Sequence, residues 1–448
     1  MARSKAGQPM ASAPDFDVIR DPLWDNIRLD RAALAALDTP TVQRLRYVRQ
    51  LGHAFLVYPG ATHTRFEHAL GAYHLTRKAL GSLEERGELA CVADEDRLAV
   101  RMAALLHDIG HYPFSHSLEE AGFPSHEGLG VAKLDRGELG LRLREIGGPD
   151  FPARVGALIT KHSPSPLQGL ISGSLDLDKI DYLSRDAFMC GVPYGTVDVE
   201  RLLASLTLVE TGGRREVGVH EKGVSALESL LFAKYQMYRN VYWHHAVRAA
   251  TCMFKRAVRT AVARGAIAVG TIAEATDDGL MELLLRRGGD QATEREGCDW
   301  SELAAAIRAR RLYKRALDLP ASDAPAATQP WLTDDTDLTT RVEDALAREL
   351  GLSEGCLLLD FPTRSSMLGV DLPLRLRGGA VDRLTDAGRA GQLGLPTVAD
   401  ELYRSARRFR VFVAQPVARS LHGILEVGTL PAAEVVRRLD GGEPLLAN

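Results

Sequence analysis

The adjacent pair His107-Asp108 is the sequence feature that most constrains how this chain can fold. It ends an almost continuously apolar stretch, RLAVRMAALLHDIG, which predicts a buried helix followed by a turn. Neighbouring side chains on a helix point about 100° apart, so both groups reach one point only if it lies just beyond the helix end. Burying an unpaired carboxylate costs on the order of 3 kcal/mol or more unless a cation or partner compensates. The pair therefore predicts a metal ion in a pocket at the end of this helix.

Two further side chains complete a set of metal ligands. His68 lies upstream in TRFEHALG, and Asp178 lies downstream in LDLDKIDYLSRD. A lone histidine is more often a hydrogen-bonded core residue than a ligand, but the doublet strongly favours the metal interpretation. Two imidazoles and two carboxylates suit Mn, Fe, Ni, Co or Zn better than Ca, and they leave coordination positions for water and a phosphate oxygen. We predict one divalent transition metal, held by His68, His107, Asp108 and Asp178.

The segment around Asp178 predicts a polar helix face. Four residues share this face through the i, i+4, i+7 and i+8 spacing: Asp178, Tyr182, Arg185 and Asp186. A metal ligand, a phenol and a second carboxylate are too polar for a core stripe. The alternative is a solvated amphipathic face with i, i+4 ion pairs, and we expect Asp181 and Arg185 to form such a solvated pair.

Three histidines follow the doublet. His111, His116 and His126 lie close to it along the chain, and Pro113 prevents the first two from sharing one continuous helix. A histidine whose pKa lies near the working pH can donate a proton to a leaving alkoxide. The alternative role is to orient the metal ligands through hydrogen bonds. We expect at least one of the three to be catalytic.

A basic and aromatic cluster lies in a later apolar segment. Its members are Arg239, Tyr242, His244, His245 and Arg248. Arginine and imidazolium groups match phosphate oxygens, and a tyrosine can stack on a base or sugar. A basic, solvent-exposed helix face explains the cluster about equally well. The sequence has no Walker A or GxGxxG fingerprint, so side chains and metal, rather than a glycine-rich backbone, would hold phosphates.

Hydrophobic periodicity predicts a mainly α fold with a helical core and a small α/β C-terminal accessory domain. We expect a disordered tail over 1–15, a catalytic core with a helical extension over 16–318, a linker or loop over 319–340 and the accessory domain over 341–448. One long helix is predicted over 223–264. TLVETGGRREVGVH predicts a β-hairpin with Gly212-Gly213 at its turn, and LGHAFLVYPG predicts a turn or short strand pair.

The net charge and the cysteines indicate which compartment and which partners to expect. A net charge of −4 gives no global reason to expect nucleic acid as the substrate. The five cysteines are scattered without CxxC spacing, which favours a reducing compartment and argues against a disulfide framework or a zinc knuckle. No stretch approaches the ~20 apolar residues of a membrane span. We expect a cytoplasmic protein without a membrane partner.

Three motifs together resemble the HD-domain deoxynucleoside triphosphate triphosphohydrolases. They are TPTVQRLRYVRQLGHAFLVYPGATHTRFEHALG, HDIGHYPFSH and LDLDKIDYLSRD, and the likeness spans roughly residues 16–320. It is strongest to the branch that contains the vertebrate SAM-and-HD-domain enzyme and its bacterial relatives, although no SAM domain is evident. The resemblance implies an HD-domain helical core in which the four predicted ligands hold the metal. It also implies Mg²⁺ bound with the nucleotide phosphates, and a homo-oligomer, either a dimer or a tetramer.

The resemblance also implies roles for residues near the metal. The implied substrate-binding residues are Gln50, Leu51, Arg65, Lys179, Tyr182, Asp186, Tyr242 and His244. Among them, Arg65, Lys179 and Tyr182 would hold the triphosphate, and Asp186 would contact the sugar edge. Gln50 and Leu51 would pack near the sugar and disfavour a 2′-hydroxyl. His111, His116 and His126 match active-site histidines, and His116 or His126 is the favoured proton donor. His245 stands where a lysine is common in the family.

A second, regulatory site is implied between subunits. Asp38, Gln43 and Arg46 match residues that read guanine in an allosteric nucleotide site, and Arg310 and Lys314 fall where the family supplies cations to its phosphates. The implied activator is GTP or dGTP. Asp17 departs from the pattern, because it stands where a related enzyme has a lysine that touches the activating nucleotides. An acid at this position would repel phosphate.

The expected reaction is metal-dependent hydrolysis of a dNTP at the α-phosphorus, which releases deoxynucleoside and inorganic triphosphate. One alternative is an HD phosphohydrolase that acts on another nucleotide, such as a monophosphate, a cyclic nucleotide or an alarmone. A different class of alternative is a nucleotide-sensing or nucleic-acid-binding scaffold with a vestigial metal site. The intact set of four ligands argues against the scaffold, and nucleic acid is not required as a partner.

Overall fold

The computed structural model describes residues 16–286, 299–321, 323, 328–362, 370–384 and 402–446. The predicted tail over 1–15 lies outside them. The fold is mainly α with a few small sheets and a small α/β C-terminal region, as predicted. Its helices are α1 Arg31–Leu37, α2 Pro40–Gln43, α3 Arg65–Glu85, α4 Asp94–Leu106, α5 His126–Leu134, α6 Gly137–Gly147, α7 Phe151–Ile159, α8 Leu177–Cys190, α9 Val199–Ser205, α10 Val224–Met237, α11 His245–Ala263, α12 Val269–Glu274, α13 Asp277–Leu285, α14 Trp300–Arg308, α15 Trp331–Asp334, α16 Thr336–Glu349, α17 Gly423–Val427 and α18 Ala432–Gly441.

Nine strands in the described ranges form three small sheets. The strands are β1 Phe16–Asp21, β2 Asp25–Asp30, β3 Leu206–Thr211, β4 Arg214–His220, β5 Lys314–Pro320, β6 Leu357–Asp360, β7 Leu372–Arg375, β8 Val381–Leu384 and β9 Arg408–Val413. The sheets are the pair β1-β2, the order β3-β4-β7-β8 and the order β5-β9-β6. Only the β4–β7 pairing is parallel among them. The predicted hairpin is confirmed as β3-β4, and Gly212 and Gly213 adopt positive φ at its turn.

Helices α3, α4 and α8 position the predicted metal ligands. A capping box between Thr64 and Glu67 fixes the start of α3, where each side chain accepts a backbone N–H of the other residue. Three acidic residues occupy the first turn of α4, where their negative charges interact favourably with the positive end of the helix dipole. Asp176 caps the start of α8, and Gly191 ends it in the left-handed conformation. Local signals therefore fix the starts of α3 and α8, close to His68 and Asp178, as well as the start of α4 and the end of α8.

The predicted continuous helix over 223–264 is wrong. Helix α10 ends at Met237, a π-helical turn follows over Tyr238–Tyr242, and α11 begins at His245. The break falls at His244, whose backbone is extended and whose side chain accepts the N–H of Ala246. Both helices bury apolar side chains. The hydrophobic pattern therefore continues across the break and could not reveal it.

Of the two alternatives predicted for LGHAFLVYPG, the structure shows turns and not the strand pair. Residues Gly52–Leu56 form a 3₁₀ helix. Its His53 is buried, with its ring stacked on Phe114 and edge-on to Phe254. The helical turn thus places this imidazole between two aromatic rings in the interior.

The sheets join segments from both sides of the predicted linker. β5 runs across residue 318, where the predicted core ends, and it pairs with β9 near the C-terminus. β7 and β8, in the predicted accessory domain, extend the hairpin β3-β4 of the predicted core. Within the predicted linker, the structure places the end of β5, α15 and the start of α16. No helix in the described residues is both long enough and apolar enough to cross a membrane.

Glu343 on α16 is a buried carboxyl group that makes the stability of the protein depend on pH. It is buried, it accepts the backbone N–H of Leu359 at 2.8 Å, and burial raises its pKa to about 7. Because this pKa lies above that of the unfolded chain, the folded state is most favoured at low pH, and that stability is lost as the pH rises through about 7. Glu343→Gln should therefore stabilise the protein at pH 8, by on the order of 2 kcal/mol, and much less at pH 5. Urea unfolding at both pH values measures the difference, and an equal effect at both would contradict the expectation.

Candidate active site

The four predicted metal ligands converge at the end of α4. His107 is the C-terminal cap of this helix, and Asp108 follows it in the turn. The Nε2 atom of His68 lies 2.7 Å from an oxygen of Asp178 and 3.7 Å from an oxygen of Asp108. The Nε2 atom of His107 lies 3.3 Å from Asp108, 3.4 Å from Asp178 and 3.3 Å from Nε2 of His68. The ligand atoms of His68, His107 and Asp178 lie within 4.8 Å of one another, and Asp108 adjoins both imidazoles.

The donors fit a transition metal. Donor atoms about 3 Å apart are what an ion with bonds of about 2.1 Å brings together. Each imidazole is also fixed through its other nitrogen, because His68 Nδ1 lies 2.7 Å from Asp181 and His107 Nδ1 lies 2.9 Å from the carbonyl of Ala104. These bonds place the proton on Nδ1 and leave the lone pair of Nε2 directed at the other donors, which is how metal-binding histidines are usually oriented.

The prediction that Asp181 and Arg185 form a solvated ion pair is wrong in one respect, because the pair is buried. Asp181 and Arg185 do form an i, i+4 pair, at 2.9 Å, but both side chains are buried. Arg185 also binds Asp21 at 2.8 Å, and the indole N–H of Trp24 donates to Asp181. Three donors, His68, Trp24 and Arg185, therefore compensate the buried carboxylate of Asp181. Asp181 therefore orients His68, and Arg185 faces the interior and not the polar face predicted for it.

Both carboxylates of the centre are ionised at neutral pH. Burial alone would raise the pKa of Asp108, but Arg65, His107 and His111 hold it well below its usual range. Arg65 lies closest, with Nη1 at 2.6 Å from Asp108. Burial would likewise raise the pKa of Asp178, but the adjacent imidazoles of His107 and His68 hold it well below its usual range. The centre therefore presents two negative charges, which favours a divalent cation.

A cavity of about 700 Å³ opens beside these donors. Most of the residues predicted to bind substrate line it, namely Gln50, Leu51, Arg65, Tyr182, Asp186 and Tyr242. Two others lie outside its lining. Lys179 donates to Asp176 at 2.6 Å and to the carbonyl of Gly173 at 2.8 Å, while His244 caps α11. The structure thus brings together the metal donors and six of the eight predicted substrate residues.

Two residues near the cavity were not predicted. His63 donates to Asp186 at 2.7 Å, and the hydroxyl of Tyr242 donates to the other oxygen of Asp186 at 2.7 Å. Lys234, on α10, is buried near Lys179, and burial together with that neighbouring charge lowers its pKa to about 8. A lysine inside the apolar string LLFAKYQM was the available signal for Lys234.

The three predicted catalytic histidines form one group around Glu119. The ring of His111 stacks on that of His126 with centroids 3.8 Å apart and planes 15° apart, and His116 is edge-on to His111. Glu119 accepts from Nδ1 of His126 at 2.6 Å and lies 3.6 Å from Nδ1 of His116. All four offer ligand atoms within 4.8 Å of one another. Stacked rings direct their lone pairs in parallel rather than at one ion, so this geometry suits proton transfer better than a second metal.

Gly110 lets this group approach the metal centre. A Cβ atom at this position would lie 2.0 Å from the carbonyl oxygen of His126 and 2.4 Å from the nitrogen of Gly130. Gly110→Ala should therefore displace the start of α5 and destabilise the protein by roughly 1–3 kcal/mol or more. Gly128→Ala on the same helix is the matched control, because its Cβ would meet only Ser125 Oγ at 3.6 Å. Chemical denaturation of both variants measures the contrast, and equal stabilities would contradict it.

The residues predicted for a regulatory site lie on the surface. Arg46 donates to Gln43 at 2.7 Å, and Gln43 donates to the carbonyl of Leu37, next to exposed Asp38. Arg310 donates to the carbonyl of Leu56 at 2.8 Å. Lys314 is exposed at the start of β5, opposite Val413. Asp17 is exposed on β1, opposite Leu29.

Arg248 does not belong to a solvent-exposed basic face. Its side chain is buried, and it binds Glu120 and Asp360. Arg239, from the same predicted cluster, donates to the hydroxyl of Tyr235 at 2.7 Å. The five residues of the cluster are distributed over the π-helical turn and α11, so they do not share one face.

Sequence comparisons identify two regions of the chain. Residues 65–186 match the HD domain, and residues 197–388 match the HD associated region. An uncharacterized protein of Methanocaldococcus jannaschii is 38% identical over 60% of this chain and 54% of its own length. The deoxynucleoside triphosphate triphosphohydrolase SAMHD1 of Danio rerio is 30% identical over 52% of this chain and 43% of its own length. The chain spans about half the length of the curated relatives it matches.

Structure comparisons extend over most of the chain. A hypothetical protein from Aquifex aeolicus, solved by crystallography, superposes with a TM-score of 0.68 at 26% identity, over 92% of this chain and 99% of that one. A phosphohydrolase from Bacteroides thetaiotaomicron superposes with a TM-score of 0.67 at 22% identity, over 89% of this chain and all of the other, and shares the fold. With both regions matched, this chain carries an HD domain followed by an HD associated region.

Proposed function

We propose that this protein hydrolyses deoxynucleoside triphosphates to a deoxynucleoside and inorganic triphosphate. The observation that carries the proposal is the single cavity lined by metal donors, by Arg65 and Tyr182, and by three histidines. Phosphate recognition, a divalent cation and a proton donor are the groups that this hydrolysis requires. The 30% identity to SAMHD1 of Danio rerio, named as a deoxynucleoside triphosphate triphosphohydrolase, supports the same substrate class.

His68, His107, Asp108 and Asp178 would hold one divalent transition metal, from among Mn, Fe, Ni, Co and Zn. When bound, such an ion would supply Lewis acidity toward a phosphate oxygen and toward water. The protein's own contribution is to fix the four donors. Asp181 and the carbonyl of Ala104 orient the two imidazoles, and Arg65 stabilises the charge of Asp108.

The histidine group around Glu119 would complete the reaction. The oxygen of water forms a bond to the α-phosphorus and the bond from that phosphorus to the 5′-oxygen breaks. The water releases one proton to solvent, and the 5′-oxygen takes a proton from a histidine, which solvent then reprotonates. His116 or His126 would donate this proton, because Glu119 contacts and orients both imidazoles beside the cavity. Burial alone would raise the pKa of Glu119, but the two histidines hold it far below its usual range, so it remains a carboxylate.

The other lining residues would position the nucleotide. Arg65 and Tyr182 would bind phosphate oxygens, and Lys179 and Lys234 would add positive charge from just behind the lining, with Mg²⁺ accompanying the phosphates. Asp186, held by His63 and Tyr242, would face the sugar, and Gln50 with Leu51 would disfavour a 2′-hydroxyl. We extend the proposal to a homo-oligomer, a dimer or a tetramer, activated by GTP or dGTP. Asp38, Gln43, Arg46, Arg310 and Lys314 would form its regulatory site.

Product analysis tests this function. The protein is incubated with each dNTP and NTP, with Mn²⁺ or Mg²⁺, with and without GTP or dGTP, and the products are separated by ion-exchange chromatography. Release of tripolyphosphate and deoxynucleoside from a dNTP is the expected result, with little turnover of the matching NTP. Release of orthophosphate or pyrophosphate would instead indicate a different HD phosphohydrolase and would overturn the proposal.

A further inference from the structure

The buried carboxylate of Asp360 connects the C-terminal sheet to the cavity. Asp360 ends β6, and its side chain is fully buried. Arg248 donates to it at 2.7 and 3.1 Å, and Nη1 of Arg410 lies at 3.4 Å. Burial alone would raise the pKa of Asp360, but the two arginines lower it below its usual range. Asp360 is therefore a charged group held between two cations. Each of these two arginines also binds a segment that forms one wall of the cavity.

The first path leads to the histidine group. Arg248 binds both oxygens of Glu120, at 3.0 and 2.8 Å, and Lys255 adds a contact at 3.3 Å. Glu120 lies in the short 3₁₀ turn Glu119–Ala121, immediately after Glu119. Glu119 is the residue that contacts His116 and His126. The bidentate arginine therefore fixes the backbone turn from which the histidine-binding carboxylate projects.

The second path runs through Arg410 to a second wall of the cavity. Nη2 of Arg410 donates to the carbonyl of Trp243 at 2.9 Å, at the end of the π-helical turn. The preceding residue, Tyr242, donates its hydroxyl to Asp186. Both Tyr242 and Trp243 line the cavity. The same carboxylate therefore supports the turn that presents Tyr242 and the turn that presents Glu119.

We propose that Asp360 is a positioning residue for the hydrolysis: through Arg248 and Arg410 it holds the two walls of the cavity at a fixed separation. This inference rests on the proposed function and deepens it, because it assigns a role in turnover to the C-terminal sheet. Thr333, Thr336 and Pro362, from the same C-terminal region, also line the cavity. Buried ion pairs add little net stability, so fixing geometry is the better account of this arrangement.

The test compares Asp360→Asn with the matched control Asp344→Asn. Asp344 binds Arg256, also on α11, at 2.7 and 2.8 Å, and it contacts neither wall of the cavity. In the full-length protein, Asp360→Asn should lower kcat by between ~10 and ~100-fold, while Asp344→Asn changes kcat by less than about threefold. Both should keep the metal content of the wild type. An equal loss of kcat in the two variants would mean a purely structural role and would overturn the proposal.

A spectroscopic measurement separates this proposal from the proposed function. In protein labelled with ¹⁵N-histidine, Asp360→Asn should shift the ring signals of His116 and His126, which are assigned from single histidine substitutions. Asp344→Asn should leave them in place. This readout needs no substrate, so it still decides the role of Asp360 if no dNTP is hydrolysed, an outcome that would sink the proposed function alone. Unchanged ring signals in Asp360→Asn would overturn the positioning role.

A milder variant covers the case in which Asp360→Asn fails to fold. Glu120→Gln leaves the contacts of Arg248 with Asp360 intact and weakens only the path to the histidines. It should lower kcat by about tenfold and shift the same histidine signals, because an amide cannot accept two charge-assisted bonds from one guanidinium. Wild-type kcat and unshifted signals in this variant would overturn the first path.

Discussion

Alanine at His107 or at Asp178 is expected to remove the bound metal and to lower dNTP turnover by at least ~1,000-fold. Each variant deletes one of the three residues, His68, His107 and Asp178, whose ligand atoms lie within 4.8 Å of one another. A catalytic cation contributes several kcal/mol to transition-state stabilisation, which corresponds to a rate effect of this size. Metal per chain, measured by inductively coupled plasma mass spectrometry, and product release, measured by chromatography, give the two readouts.

His162→Ala is the control for these variants, because His162 is exposed and does not line the cavity. It should retain the metal content and turnover of the wild type. If His107→Ala and Asp108→Ala kept both metal and turnover, the chain would be a nucleotide-binding scaffold with a vestigial site. That result would remove the metal centre from the proposed mechanism altogether.

Asp181→Asn is expected to weaken metal binding by about 10–100-fold without removing a ligand. Asp181 accepts from Nδ1 of His68 at 2.7 Å and so fixes the ring that points Nε2 at the other donors. An amide at this position cannot stabilise the same proton on Nδ1. Titration of the metal-free variant with Mn²⁺, followed by calorimetry, measures the change in affinity.

Asp21→Asn separates orientation of His68 from loss of the buried ion pair. Asp21 and Asp181 both bind Arg185, at 2.8 and 2.9 Å, but only Asp181 contacts His68. Both variants leave Arg185 short of one carboxylate, and each should destabilise the fold by roughly 3–5 kcal/mol. Only Asp181→Asn should weaken metal binding. Equal metal affinities in the two variants would show that Asp181 acts on stability alone.

The doublet could be recognised as a candidate metal site from the sequence because its signal is local. The apolar helix that precedes His107-Asp108 is expected to be buried, and burying the carboxylate of Asp108 is unfavourable. A bound cation compensates this cost wherever the helix packs. The structure brings His68 and Asp178 to the same point because α3 and α8 both pack around the doublet. The mainly α fold and the hairpin β3-β4 were also predictable, since helical periodicity and a Gly-Gly turn are properties of short segments.

Contacts between distant segments could not be predicted in the same way. The i, i+4 spacing gave the pair of Asp181 and Arg185, but nothing in the spacing shows that Asp21 and Trp24 arrive from β1 and its turn to bury it. The break at His244 was hidden because α10 and α11 both bury apolar side chains. The sequence around Asp360 carries no signal for its contacts with Arg248, which form because β6 packs against α11. In each case the deciding partner lies far away in the chain.

The order of strands in the C-terminal sheet bears on how the protein is made. β9 is the central strand and pairs with both β5 and β6, yet it is the last of the three to leave the ribosome. β5 and β6 therefore emerge without their partner, and their backbone N–H and C=O groups stay unpaired until β9 arrives. Contacts across such sequence separations form slowly. The HD core can pack during synthesis before β9 is made, whereas the C-terminal sheet cannot form until β9 has emerged, so aggregation during expression should depend on temperature and on the rate of translation.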